Sequence, residues 1–107
     1  MVSEPQVLRP FNRAEVLSIE EAAEIAGKSI RTMREWCQRH DIGRRIGGRW
    51  AVSKVALAML LDGEAEGLAA YLDGDRESPT IVKYFSLQGG SPPKRLRDAP
   101  QQYGGGG

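Results

Sequence analysis

Residues Ser29–Trp50 read SIRTMREWCQRHDIGRRIGGRW. The stretch gathers six arginines, two tryptophans and the tandem Gly47-Gly48 into one short span. On a helix turning about 100° per residue, Ile30, Met33, Trp36 and Cys37 share one side, and Arg31, Arg34, Glu35 and Gln38 share the other. Ser29 stands just ahead of the apolar period, where its hydroxyl can accept from an unpaired N–H of the first turn. One side of this helix can pack, and the other is left to meet a ligand. A plain amphipathic helix with a solvated face has the same period, so the residues that follow must separate the two readings.

After His40 and Asp41 the chain turns, and Ile42-Gly43 is expected to close the helix. Two β-prone runs, Arg44–Ile46 and Arg49–Val52, flank Gly47-Gly48. A two-residue hairpin turn needs positive φ at both central positions, which two glycines supply. Ile46 or Trp50, with Val52, is expected to pack inward, and Arg44, Arg45 and Arg49 to point toward the tip. A helix presenting Arg, Gln and Glu just before a basic hairpin suits the major groove of double-stranded DNA. There Arg donates to guanine, Gln pairs with adenine and Glu accepts from cytosine.

Charge along the chain agrees. The 107 residues carry a net charge of only +1. From Lys28 to Lys54, however, eight Lys/Arg stand against Glu35 and Asp41, a local +6. From Val55 to Thr80, six acids stand against Arg76, a local −5. A polyanion partner is therefore expected for the first segment only. The single cysteine cannot form an internal disulfide, which fits a reducing cytoplasm. No apolar run approaches the ~20 residues of a membrane span, and the N-terminus has no apolar signal core.

Residues 1–13 read as a flexible arm, with Phe11 as a candidate contact to the domain. Val16-Leu17 suits a short edge strand. Ser18 and Glu21 form a capping box for a helix that buries Ile19, Ala22, Ala23 and Ala26, and Gly27 ends it. Helix, short glycine turn, helix is the helix-turn-helix layout. Ser53 caps a further helix stopped by Asp62-Gly63, and Glu64–Leu72 suits another, with Met59 and Tyr71 as core fillers. The domain is thus expected over residues 14–75. In residues 76–107, Thr80–Leu87 (TIVKYFSL) reads as a β-prone run that could pair with a neighbouring chain. A Pro- and Gly-rich tail follows, with Lys94, Arg95 and Arg97, read as disordered.

Enzyme constellations do not assemble. Cys37 and His40 lie on one helix without a third member, and two ligands do not make a zinc site. No Gly-rich phosphate loop is followed by Lys-Ser or Lys-Thr. The expectation is a non-catalytic protein without metal or cofactor.

Leu17–Leu61 resembles the winged helix-turn-helix domains of the excisionase and MerR-like group. The resemblance rests on the Ser29/Arg31/Thr32 start of the second helix, Trp36, the Gly47-Gly48-Arg49 tip and the Ser53-capped helix. It implies a mainly α fold with a small β-hairpin, in which the second helix enters the major groove and the wing meets backbone or minor groove. The DNA-contacting residues it implies, with the basic and polar positions around them, are Lys28, Ser29, Arg31, Thr32, Arg34, Glu35, Gln38, Arg39, Arg44, Arg45 and Arg49. Ser29 and Thr32 are expected to position phosphates. A domain of this size is similar to excisionases, or recombination directionality factors, which bend DNA at an attachment site beside a tyrosine integrase and act in several copies. AlpA-like transcription regulators share the domain, phage terminase small subunits begin with a similar one, and a toxin–antitoxin or other adaptor module, with the acidic half as a protein-binding surface, is a third class, so the job it serves stays open at this point.

Overall fold

The structure, a computed structural model, describes residues 4–88. Local capping signals set most of its elements. A single 3₁₀ turn, Arg13–Glu15, leads into strand β1 (Val16–Ser18) and helix α1 (Ile19–Ala26). Ser18 Oγ accepts from Glu21 N at 3.0 Å, and Glu21 Oε1 accepts from Ser18 N at 2.9 Å, so the box satisfies two end groups of α1. Gly27, at φ +68°, closes α1 with its N–H on the Ala23 and Glu24 carbonyls. The chain then enters α2 (Ile30–His40), capped by Ser29, whose Oγ accepts from Thr32 N at 3.0 Å. Buried Ala22 and Ala23 let α2 approach α1 closely.

Asp41, not Ile42-Gly43, closes α2: it takes the left-handed conformation at φ 57°. Gly43 is required for another reason. It opens strand β2 (Gly43–Ile46), where a Cβ would lie 2.7 Å from the Ala51 carbonyl oxygen and 2.9 Å from Cys37 Sγ. Strand β3 (Arg49–Ser53) returns after Gly47 and Gly48, both at positive φ as the hairpin demands. The antiparallel sheet runs β1-β3-β2, pairing Leu17 with Val52 and Arg45 with Trp50. Helices α3 (Lys54–Asp62) and α4 (Ala65–Leu72) follow, separated by Gly63 at φ 74°.

The β-prone reading of Thr80–Leu87 is overturned. Pro79–Leu87 is a helix, α5, with Pro in its first turn after Ser78. Ile81, Tyr84 and Phe85 are buried at i, i+3, i+4 spacing against α3 and α4. The β-branched run Thr80-Ile81-Val82 sets strand propensity, but the buried positions follow the helical period, and packing decides. This segment is core, so it is not an edge for a neighbour to pair with.

The expected arm is also partly docked. Val7 and Leu8 are buried in the core, while Phe11 is 58% exposed and does not tuck in. Gln6 N donates to the Leu72 carbonyl at 2.8 Å. Arg76 fixes the arm from inside. Its guanidinium donates to the carbonyls of Gln6 at 2.6 Å, Tyr71 at 2.7 Å, and Asp75 and Arg9, both at 2.8 Å. It also lies 3.8 Å over the Tyr71 ring. Glu15 completes a buried polar cluster: its Oε2 accepts from Ser53 and from Tyr71, while its Oε1 is buried without a hydrogen-bond partner. The basic tail lies outside the described residues.

Candidate nucleic-acid interface

Helix α2 is two-sided in the way its period requires. Met33 and Cys37 are buried against the domain, and Arg31, Arg34, Glu35, Gln38 and Arg39 are exposed. Two positions read as packing residues are peripheral: Ile30 is 40% exposed, and Trp36 is only half-buried. The Trp36 ring lies under Lys28, whose Nζ is 5.8 Å from its centroid, and edge-on to His40. It holds the turn before α2 to the helix rather than filling the core.

Arg31 and Glu35 stand one turn apart, with Nε and Oε2 separated by 4.0 Å, at side-chain exposures of 87% and 58%. A pair this open is weak, so either member can exchange its partner for a base edge or a phosphate. Ser29 Oγ donates to Thr32 Oγ1 at 3.1 Å while capping the helix. Ser29 is thus committed to the cap, and the Thr32 hydroxyl keeps its own proton for a phosphate oxygen.

The wing divides the three hairpin arginines. Cross-strand partners share a face and neighbours alternate. Arg45 lies with Trp50, and Arg44, Ile46 and Arg49 lie on the opposite face. A Cβ on Gly43 would point at Cys37, so the face of Arg45 and Trp50 is the one turned to α2. The Arg45 guanidinium donates to the Gly48 carbonyl at 2.9 Å and sits 5.9 Å from the Trp50 ring centroid. Arg49 is exposed beside the Gly47-Gly48 tip. Arg44 is half-buried and lines an open cleft of about 1230 Å³ with Asp41, Phe11 and Asp73. The geometry therefore brings Lys28, Arg31, Thr32, Arg34, Glu35, Gln38 and Arg39 together on α2 and its approach. It adds Arg45 from the wing, sets Arg49 at the tip and turns Arg44 away.

Residues 16–65 match the family model described as a helix-turn-helix domain. This part of the chain is similar to helix-turn-helix domains, and α1, the turn at Gly27 and α2 have that layout. The matched span begins at β1 and ends at the first residue of α4, so the docked arm and α5 lie outside it. Neither the curated proteins nor the solved structures gave a match. Burial pushes the Cys37 thiol up to about 11. That keeps the sulfur protonated and unreactive as a nucleophile at neutral pH. Among the described residues no helix is long and apolar enough to cross a membrane, and no group of three or more potential metal ligands is found.

The Glu15–Ser53–Tyr71–Arg76 cluster had no sequence signal beyond the Ser53 cap, because its members meet only through the tertiary fold.

Proposed function

We propose that this chain reads a specific double-stranded DNA site, with α2 in the major groove and the β2–β3 wing on the backbone. The observation that carries the reading is the division of α2: Met33 and Cys37 are locked inside, while five polar and charged side chains face outward beside a basic wing. Binding should neutralise roughly four to six phosphates, so affinity should fall about 10²–10³-fold between 50 and 200 mM salt. Fluorescence anisotropy with a labelled duplex checks this. A flat salt profile would remove the basic face as the docking surface.

Roles within the surface differ. Arg31→Ala or Arg34→Ala should lose about 1–3 kcal/mol on the specific site and relax sequence choice. Arg49→Ala should weaken specific and scrambled duplexes alike, because a wing tip meets backbone or a narrow minor groove. Arg44→Ala should change either affinity less than Arg45→Ala does. Paired titrations on the two duplexes decide, and a dominant Arg44 would reverse the assignment of wing faces.

Within that reading the role is architectural: an excisionase, or recombination directionality factor, that bends DNA at an attachment site and promotes excision of a mobile element by a tyrosine integrase. The resemblance of Leu17–Leu61 supports it. So do α4 and α5, which fold back on the core instead of extending as a dimerisation helix. One winged domain reads too few base pairs to select a locus, so several copies act in a row. The acidic surface around Glu66 and Asp73 of one copy would meet the basic wing side of the next, a head-to-tail contact that propagates. Duplexes with one, two and three adjacent sites should fill cooperatively. Glu66→Lys with Asp73→Lys should abolish cooperativity before single-site binding. An excision assay with the integrase tests the role itself: unchanged excision with intact duplex binding would favour a transcription regulator.

A further inference from the structure

Ile30 opens α2 and is 40% exposed, on a helix whose Met33 and Cys37 are buried. Nothing local calls for an aliphatic side chain there, because the cap is made by Ser29 Oγ with Thr32 N and Thr32 Oγ1. A turn of about 100° per residue sets Ile30 about 20° from Cys37 and about 40° from Arg34 around the helix axis. It therefore stands on the edge where the packed side of α2 meets the exposed one. The residues around it are made for a polyanion: Lys28, Ser29, Arg31 and Arg34 are exposed.

Resting on the DNA reading above, we propose that Ile30 is a specificity-determining residue that packs on the C5-methyl of a thymine close to the base edge met by Arg34. When the second helix of this layout enters the major groove, its N-terminal residues lead to the base edges. The groove is about 12 Å wide, and a helix with its side chains is about 10–12 Å across. The first turn is thus enclosed, and its edge residues reach the groove floor together with its outward ones. That floor offers one apolar group, the thymine methyl; the other groups on the base edges donate or accept hydrogen bonds. Ile30 and Arg34 are neighbours one turn apart, with Cβ atoms about 5–6 Å from each other, against a rise of about 3.4 Å per base pair. Their two contacts therefore fall within about two base pairs. A protein surface laid over Ile30 would strip water from Lys28, Arg31 and Arg34 as well, a cost that phosphates and guanine offset and an apolar partner does not.

The probe is a duplex selected by the full chain from a randomised pool. Each thymine of that duplex is replaced in turn by deoxyuridine, which deletes the methyl and keeps the base pair. Wild-type affinity, read by fluorescence anisotropy, should fall about three- to sixfold at one thymine. Ile30→Ala should bind the thymine and deoxyuridine forms of that position alike and keep wild-type affinity for a scrambled duplex. Ile30→Val, which retains a branched side chain, should regain most of the difference, and Arg34→Ala should keep it in full. Equal wild-type affinity for every deoxyuridine duplex, or a selected sequence without thymine, would overturn the assignment. A deoxyuridine effect that persists in Ile30→Ala would overturn it too, by giving the methyl to another side chain. Each of these results leaves the proposed function intact, whereas a pool that yields no common sequence would remove the DNA reading itself and the role of Ile30 with it.

Discussion

Replacing Arg76 by methionine should destabilise the domain by about 3–5 kcal/mol, a large share of the stability of a domain this small. The expectation follows from what the guanidinium joins. It is 3% exposed, and its two terminal nitrogens serve the carbonyls of Gln6, Arg9, Tyr71 and Asp75. Charge-assisted hydrogen bonds of this kind contribute more than neutral ones, and acceptors left buried without a donor cost further. Methionine preserves length and apolar contact but no donor. Two of the four carbonyls belong to the arm, so Val7 and Leu8 should loosen together with the loop after α4. Arg76→Lys keeps the charge but not the planar fork, and should recover only part of the loss. Urea denaturation gives the magnitude, and limited proteolysis between Gln6 and Arg13 reports the arm. A loss under about 1 kcal/mol, with the arm still protected, would show that apolar burial of Leu8 alone holds it.

The parts of the fold that were legible in the sequence are those whose cause is local. Ser18, Ser29 and Ser53 each precede an apolar helical period, and each caps the helix it announces. Gly47-Gly48 admits the hairpin turn and few alternatives. The misreadings occur where distant contacts override neighbours. Asp41 supplies the left-handed closure of α2 because Gly43 is needed where β2 passes Cys37 and Ala51. Thr80-Ile81-Val82 has strand propensity, yet Ile81, Tyr84 and Phe85 must meet α3 and α4 together, which only a helix allows. Nothing around Val7 and Leu8 announces that Arg76 will hold them.

The candidate interface was legible to a similar degree. The outward face of α2 follows from its period alone, and Met33 and Cys37 are buried as that period requires. Which hairpin arginines share the side of α2 depends on the strand register. One residue separates Arg44 from Arg45, and strand alternation sends them to opposite faces. Composition could not divide them; the pairing of Arg45 with Trp50 does.

Glu15→Ala should cost about 2–5 kcal/mol at pH 4 and less at pH 8, and the change with pH carries the argument. Burial dominates at this carboxyl and raises its pKa above the ordinary 4.5, against the opposing effects of the Ser53 and Tyr71 hydroxyls and the Arg76 charge. The native state therefore holds the Glu15 proton more tightly than the unfolded chain does. Its contribution to stability is fully present below the unfolded value and is lost as pH rises through the raised native value, by at most about 1.4 kcal/mol per pH unit. Removing the side chain leaves the Ser53 hydroxyl without its acceptor at every pH and the Tyr71 hydroxyl with only Ser53 Oγ, at 3.2 Å. Above the raised value, however, it also removes a desolvated charge, so the loss shrinks. Glu15→Gln keeps an acceptor and cannot ionise. The wild-type protein should therefore lose stability relative to this variant as pH climbs from 4 toward neutrality, measured by urea denaturation of both chains at matched ionic strength. The opposite slope, with the wild type gaining on Glu15→Gln, would mean that the two hydroxyls and Arg76 outweigh burial and that the site favours the carboxylate. Because Ser53 ends β3 and caps α3, a change at Glu15 bears directly on the strand that carries the wing. Duplex affinity should accordingly fall with Glu15→Ala even though the carboxyl lies in the interior, 3% exposed.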